Sequence, residues 1–164
     1  MVKKAIVVAG VAGSGKTTIA QALAEQIGWA YIEADDYHSE ASKRKMASGQ
    51  PLNDDDRAPW LEILNQQMQR QAPAVLACSA LKQRYRDRLG RGLTLKVIWI
   101  DIDPKLAEER LSTRTGHFMP ASLVDSQFAA VELPQHAIIL NTSEPVDKLL
   151  QDCLSALRNF VNID

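Results

Sequence analysis

The chain has 164 residues, 46% of them hydrophobic and 24% charged, and a formal net charge of −1. That composition excludes disorder and fibrous repeats, and the near-zero charge gives no overall pull toward nucleic acid or an anionic membrane. The length suits one domain built on one core.

Residues 4–9 form a short apolar run that ends in glycines, the pattern of a strand buried on both faces of a parallel sheet. Met1-Val2-Lys3-Lys4 resembles the start of a signal peptide, but the run after it is short and lacks a cleavage-like site. Residues 16–27 put Ile19, Ala20, Leu23, Ala24 and Ile27 on one helical face, Gly28 is the stop, and 29–33 reads as a second strand. From Tyr37 to Arg70 the chain is polar and interrupted by Gly49, Pro51 and Pro59, which predicts two helices joined by a loop, an insert over about 37–70.

Apolar runs at 74–78 and 95–100 predict two more strands, separated by a basic helical segment from Leu81 to Leu89. Asp103-Pro104 caps and opens a helix running to about Thr113, residues 114–121 read as a loop, and Pro120 starts a helix carrying Leu123, Val124, Phe128 and Val131. Ala137 to Leu140 is the last strand, and 145–161 is strongly amphipathic. No apolar run approaches a membrane span, and Cys78 and Cys153 fall in apolar segments, which predicts buried thiols in a reducing compartment, by default the cytosol. Strands alternating with helices predict a three-layer α/β fold around a five-stranded parallel sheet, with ligands at the carboxyl ends of its strands.

Gly10-Val11-Ala12-Gly13-Ser14-Gly15-Lys16-Thr17 satisfies G-x-x-x-x-G-K-[ST] between the first strand and first helix, and Thr18 continues the turn. Such a loop converges backbone N–H groups on an anion at the positive end of a helix. Lys16 would span the β- and γ-phosphates of ATP, and the Thr17 hydroxyl would ligate Mg²⁺. A GTPase is disfavoured, because there is no N-K-x-D and the only D-x-x-G, at 87–90, closes the basic helical segment. A nucleic-acid kinase would want an aromatic channel, and aromatics are 5% of the chain.

The second strand ends in Glu33-Ala34-Asp35-Asp36-Tyr37-His38. One acid there suits Mg²⁺, and another suits orienting or deprotonating an attacking hydroxyl. Read alone, the stretch fits a solvated acidic turn equally well. Asp101, at the end of the fourth predicted strand, reads as mainly structural beside the helix start at Asp103-Pro104. Tyr37 and Trp60 read as packing anchors, and Met46, Met68 and Met119 as core filling.

Together the blocks GVAGSGKT (10–17), EADDYH (33–38), KMASGQPLNDDDRAPWL (45–61), CSALKQRYRDRL (78–89) and RTGHFMPASLVDSQFAAVELP (114–134) resemble the gluconokinase family of P-loop kinases, related in fold to shikimate and nucleoside-monophosphate kinases. The resemblance implies ATP- and Mg²⁺-dependent phosphorylation of the 6-hydroxyl of D-gluconate. By position, Glu33 matches the acid that supports Mg²⁺ and Asp35 the carboxylate facing the sugar hydroxyl. His38, Lys45, Arg57, Lys82, Arg86 and His117 would line or close over the substrate, with plain surface solvation as the alternative for each. Arg110 and Arg114 would come from a lid, at about 114–121, to the nucleotide, Arg114 acting on the transferred phosphoryl group. A homodimer is also implied. The chain departs from the pattern at Ser39, where proline is common, and at Ser42, where asparagine is usual. The competing readings are a kinase of the same fold acting on another aldonate or on shikimate, and a nucleotide-binding switch without transferase activity.

Overall fold

A computed structural model describes residues 2–113 and 123–161. Strands β1 (Lys4–Ala9), β2 (Ala30–Glu33), β3 (Ala74–Ala77), β4 (Thr94–Asp101) and β5 (Ile138–Asn141) form a sheet in the order β2-β3-β1-β4-β5, every pairing parallel. Because β1 is central, Val7 pairs with Leu76 on one side and Val97 on the other.

The unbroken apolar run of β1 follows from burial on both faces. Ile6 and Val8 pack into a core with α1 (Lys16–Ile27) and α7 (Val146–Val161) through Leu23, Leu149, Cys153 and Leu157. Ala5, Val7 and Ala9 join the opposite core, supplied by α3 (Asp54–Gln71), α4 (Gln83–Leu89), α5 (Pro104–Thr113) and α6 (Val124–Ala130). Helix α2 (Glu40–Ala47) carries Met46 into a small separate cluster with Leu52 and Leu123. Both cysteines are free and buried. Among the described residues no helix is long and apolar enough to cross a membrane.

The chain leaves β1 for the far edge at β2, returns to β3 beside β1, and then crosses to β4. That reversal around β1 opens a crevice at the carboxyl ends of the strands.

Three local expectations shift. Pro59 lies inside α3 rather than breaking it. A reciprocal cap, with Asn53 Oδ1 accepting from the Asp56 N–H and Asp56 Oδ2 from the Asn53 N–H, starts this helix firmly. The proline removes only the bond to the carbonyl of exposed Asp55, which water can satisfy. The basic helix begins at Gln83, not Leu81, because Ala80 holds φ +42 in a turn that helical backbone cannot enter. Val131 is extended at the end of α6. Pro120, Met119 and the 114–121 loop lie outside the described residues.

Candidate active site

Between β1 and α1 the chain turns through residues 10–15. Gly13 adopts φ +83, and a Cβ there would lie 2.9 Å from the Ala107 carbonyl of α5, so glycine alone lets the turn pass so close to that helix. The Ile19 N–H donates to the Gly15 carbonyl at 3.2 Å, which leaves the amides of Lys16, Thr17 and Thr18 ahead of it without a helical acceptor. Together with the helix dipole they make a cradle that fits phosphate. Lys16 Nζ folds back to 3.5 Å from the Val11 carbonyl.

Arg110, on α5, donates through Nη1 to the Gly13 carbonyl at 3.2 Å. A cavity of about 390 Å³ runs from Gly15, Thr18 and Arg110 to Thr142, Glu144 and Pro145, beyond the carboxyl end of β5. Its position beside the cradle suits the rest of a nucleotide.

Thr17 Oγ1 donates to Glu33 Oε1 at 2.6 Å. Burial raises the Glu33 pKa above its ordinary value; the Thr17 hydrogen bond opposes this and the Asp35 charge adds to it. No group of three or more acids, histidines or cysteines that could hold a metal occurs among the described residues. A hydroxyl and one carboxylate are a sparse, hard-oxygen set, which fits Mg²⁺, an ion that keeps waters and phosphate oxygens as ligands.

On the other side of the cradle, the short 3₁₀ turn Ala34–Tyr37 carries Asp35. Asp35 Oδ1 lies 3.4 Å from His38 Nε2, and the His38 side chain is only 6% exposed. Asp36 is exposed. The indole N–H of Trp60 donates to the Ala34 carbonyl at 2.8 Å, so the packing anchor on α3 also fastens the acidic turn.

A narrow cavity brings together Lys16, Asp35, His38, Arg57, Ser79 and Gln127. It shares Met46, Leu52, Arg57 and Gln127 with a roomier cavity of about 340 Å³ that Lys82 also lines. Arg57 donates to the Leu52 carbonyl and to Tyr85 Oη, and Lys82 lies 3.8 Å from Asp54. The hydrogen bond from Tyr85, with Arg84, Lys82 and Arg57 nearby, lowers the Asp54 pKa.

Two expected substrate residues stand elsewhere. Lys45 Nζ is held 2.7 Å from Asp56, at the start of α3, and does not line either cavity. Arg86 is 3% exposed, and its guanidinium donates to the carbonyls of Ala80 (2.7 Å) and Glu132 (2.6 Å). It braces the positive-φ turn after β3 and borders a groove between α4, β4 and residues 132–136 instead of either cavity just described. Arg114 and His117 lie outside the described residues.

Sequence reading missed Gln127, Ser79, Thr142 and Glu144. Gln127 had a signal: it interrupts the apolar stripe of α6, where a polar side chain needs a partner. Its Oε1 accepts the Ala12 N–H at 2.7 Å. Ser79 lies in the block at 78–89 with no role of its own there, Thr142 and Glu144 carry no motif, and only the winding of the sheet brings the three to the crevice.

The two departures meet each other, because Ser39 caps α2 by accepting the Ser42 N–H at 3.0 Å. Neither lines the cavities described.

Comparison with known proteins places this geometry. Residues 6–134 match an AAA domain family model. The chain is 49% identical over 135 residues to a gluconokinase of Gluconobacter oxydans (strain 621H), covering 79% of this chain and 75% of that one. Among solved structures, a sugar kinase from Janibacter sp. HTCC2649 superposes with a TM-score of 0.88 at 39% identity, over 94% of each chain. A gluconokinase from Sinorhizobium meliloti 1021 gives 0.85 at 35% identity, over 98% of this chain and 94% of that one.

Proposed function

The chain belongs to the gluconokinase family, and on that premise we propose that it transfers the γ-phosphoryl group of ATP to the 6-hydroxyl of D-gluconate, giving 6-phospho-D-gluconate and ADP. The observation that carries this reading is the shared lining of one narrow cavity by Lys16, from the phosphate cradle, and Asp35, from the acidic turn. A phosphate donor and a hydroxyl acceptor need such a meeting point, since most of phosphoryl transfer is positioning and charge neutralisation.

The cradle amides and Lys16 hold the phosphates, and Arg110 stands by the cradle's far side. Asp35 accepts a hydrogen bond from the acceptor hydroxyl and takes its proton as the oxygen attacks. His38 fixes the carboxylate, while Arg57 and Lys82 give the outer cleft the positive charge that suits a carboxylate at the other end of the acceptor. Thr17 and Glu33 would hold Mg²⁺, which when bound neutralises phosphate charge. Arg114 and His117, from the segment outside the described residues, complete the set by family position. The same reading takes the chain as one domain, with its insert over about 37–70 and a lid over about 114–121 that excludes water on closing, and sets it in the cytosol.

An ADP-release assay across gluconate, other aldonates, shikimate and nucleoside monophosphates tests the proposal. Gluconate should give the highest kcat/KM; faster turnover of shikimate or a nucleotide would overturn it.

A further inference from the structure

Arg84, in the first turn of α4, lines neither the narrow nor the roomy cavity, yet it holds a carboxylate that lines the roomy one. That carboxylate is Asp54, at the start of α3. Arg84 Nη2 pairs closely with Asp54 Oδ2, and Tyr85 Oη donates to Asp54 Oδ1. Lys82 Nζ stands farther off, 3.8 Å from Oδ1. Around the Tyr85 ring the charges of Arg57, Lys82 and Arg84 lie 5.3, 5.7 and 5.8 Å from the centroid. These cations differ in where they face. The Lys82 side chain is 25% exposed and lines the roomy cavity beside Arg57, whereas that of Arg84 is 60% exposed and reaches Asp54 from outside it.

We infer that Arg84 is a positioning residue for acceptor recognition: by keeping the Asp54 carboxylate on itself and Tyr85, it releases Lys82 to the carboxylate of the sugar acid. This deepens the reading of the cleft as the sugar-acid site and rests on it. Asp54 carries the same chemical group as the end of the acceptor that Lys82 would meet, so it is a built-in rival for that ammonium. Exposed ion pairs gain little over water, so the long Lys82 contact is easily given up while the closer Arg84 pair persists. Without Arg84, Lys82 is the cation left paired to Asp54, and the acceptor must compete for it.

Three variants test this through the gluconate KM. Asp54→Asn removes the rival and should lower KM about threefold, the scale of an exposed pair. Arg84→Gln sets the rival loose and should raise KM by about as much. A bare change of net charge would move each single variant the same way, so the two substitutions together decide. With no carboxylate at position 54, the loss of Arg84 has nothing to release, and the double variant should keep the KM of Asp54→Asn. Thermal melts, with kcat and the affinity for a non-hydrolysable ATP analogue expected within twofold of wild type, check that each variant is folded. An unchanged or raised KM in Asp54→Asn, an unchanged KM in Arg84→Gln, or a double variant that returns to the wild-type KM would overturn the inference.

The substrate assignment fails separately. A wild type that phosphorylates another carboxylate-bearing acceptor faster than gluconate would sink that assignment alone, and the same three KM values would be read with that acceptor. A best acceptor without a carboxylate would overturn both.

Discussion

The His38 imidazole lies against the Trp60 indole, ring centroids 4.2 Å apart and planes 15° from parallel. With the indole N–H on the Ala34 carbonyl, one side chain of α3 supports both the turn that bears Asp35 and the histidine beside it. Trp60→Phe keeps a stacking face and removes the hydrogen bond to the buried Ala34 carbonyl. It should lower stability by about 1–2 kcal/mol, read from urea melts. Turnover should fall severalfold while ATP-analogue affinity holds; unchanged kcat would separate the stack from catalysis.

Asp35→Asn retains the shape of the side chain and abolishes its basicity. Turnover should drop by roughly 10²–10⁴-fold, the usual worth of a general base, with analogue affinity within twofold. Wild-type turnover in this variant would remove Asp35 from the chemistry.

Lys16→Ala should weaken analogue binding and slow turnover together, because the missing charge faces the phosphates both before and during transfer. ATP kinetics like those of the wild type would contradict the cradle assignment.

Arg86→Ala should behave as a folding mutation. Leaving the Ala80 and Glu132 carbonyls unpaired costs about 2–4 kcal/mol, visible as a lower melting temperature. The acceptor KM of the protein that remains folded should be that of the wild type; a large KM rise would return Arg86 to the substrate.

Glu33 has a pH signature. Its folded pKa is raised above the ordinary 4.5, so the unfolded chain gives up this proton first. Stability from this group is full below pH 4.5 and is lost as pH rises through the raised value. Glu33→Gln should therefore melt higher than the wild type at pH 7 in the absence of nucleotide, the gap closing toward pH 4. The same variant should need more Mg²⁺ for half-maximal rate. A melting difference that grows on acidification would refute the argument.

Periodicity and punctuation in the sequence were enough for the five strands, and the G-x-x-x-x-G-K-T spacing for the cradle, because each is written within a few consecutive residues. Roles decided across long separations were harder to read. Arg86 looks like any basic residue of a polar helix until the Ala80 turn is seen to need its guanidinium. Lys45 reads as a free cation until Asp56 comes 2.7 Å from it. Ser39 and Ser42 looked like changes at the substrate, yet they close a helix cap with each other. Gln127 was the legible exception that went unread, one polar side chain on an apolar stripe.

Arg110 grips the carbonyl of Gly13 and Gln127 the amide of Ala12, and these two side chains flank residues 114–122 in the chain. The helices on either side of it, α5 and α6, are thus moored to two adjacent residues of the phosphate loop. Extra residues inserted midway would add little closure entropy, since that grows only with the logarithm of length. Loosening either mooring would be felt at the other, so tolerance to insertion and intolerance to change at its feet should go together.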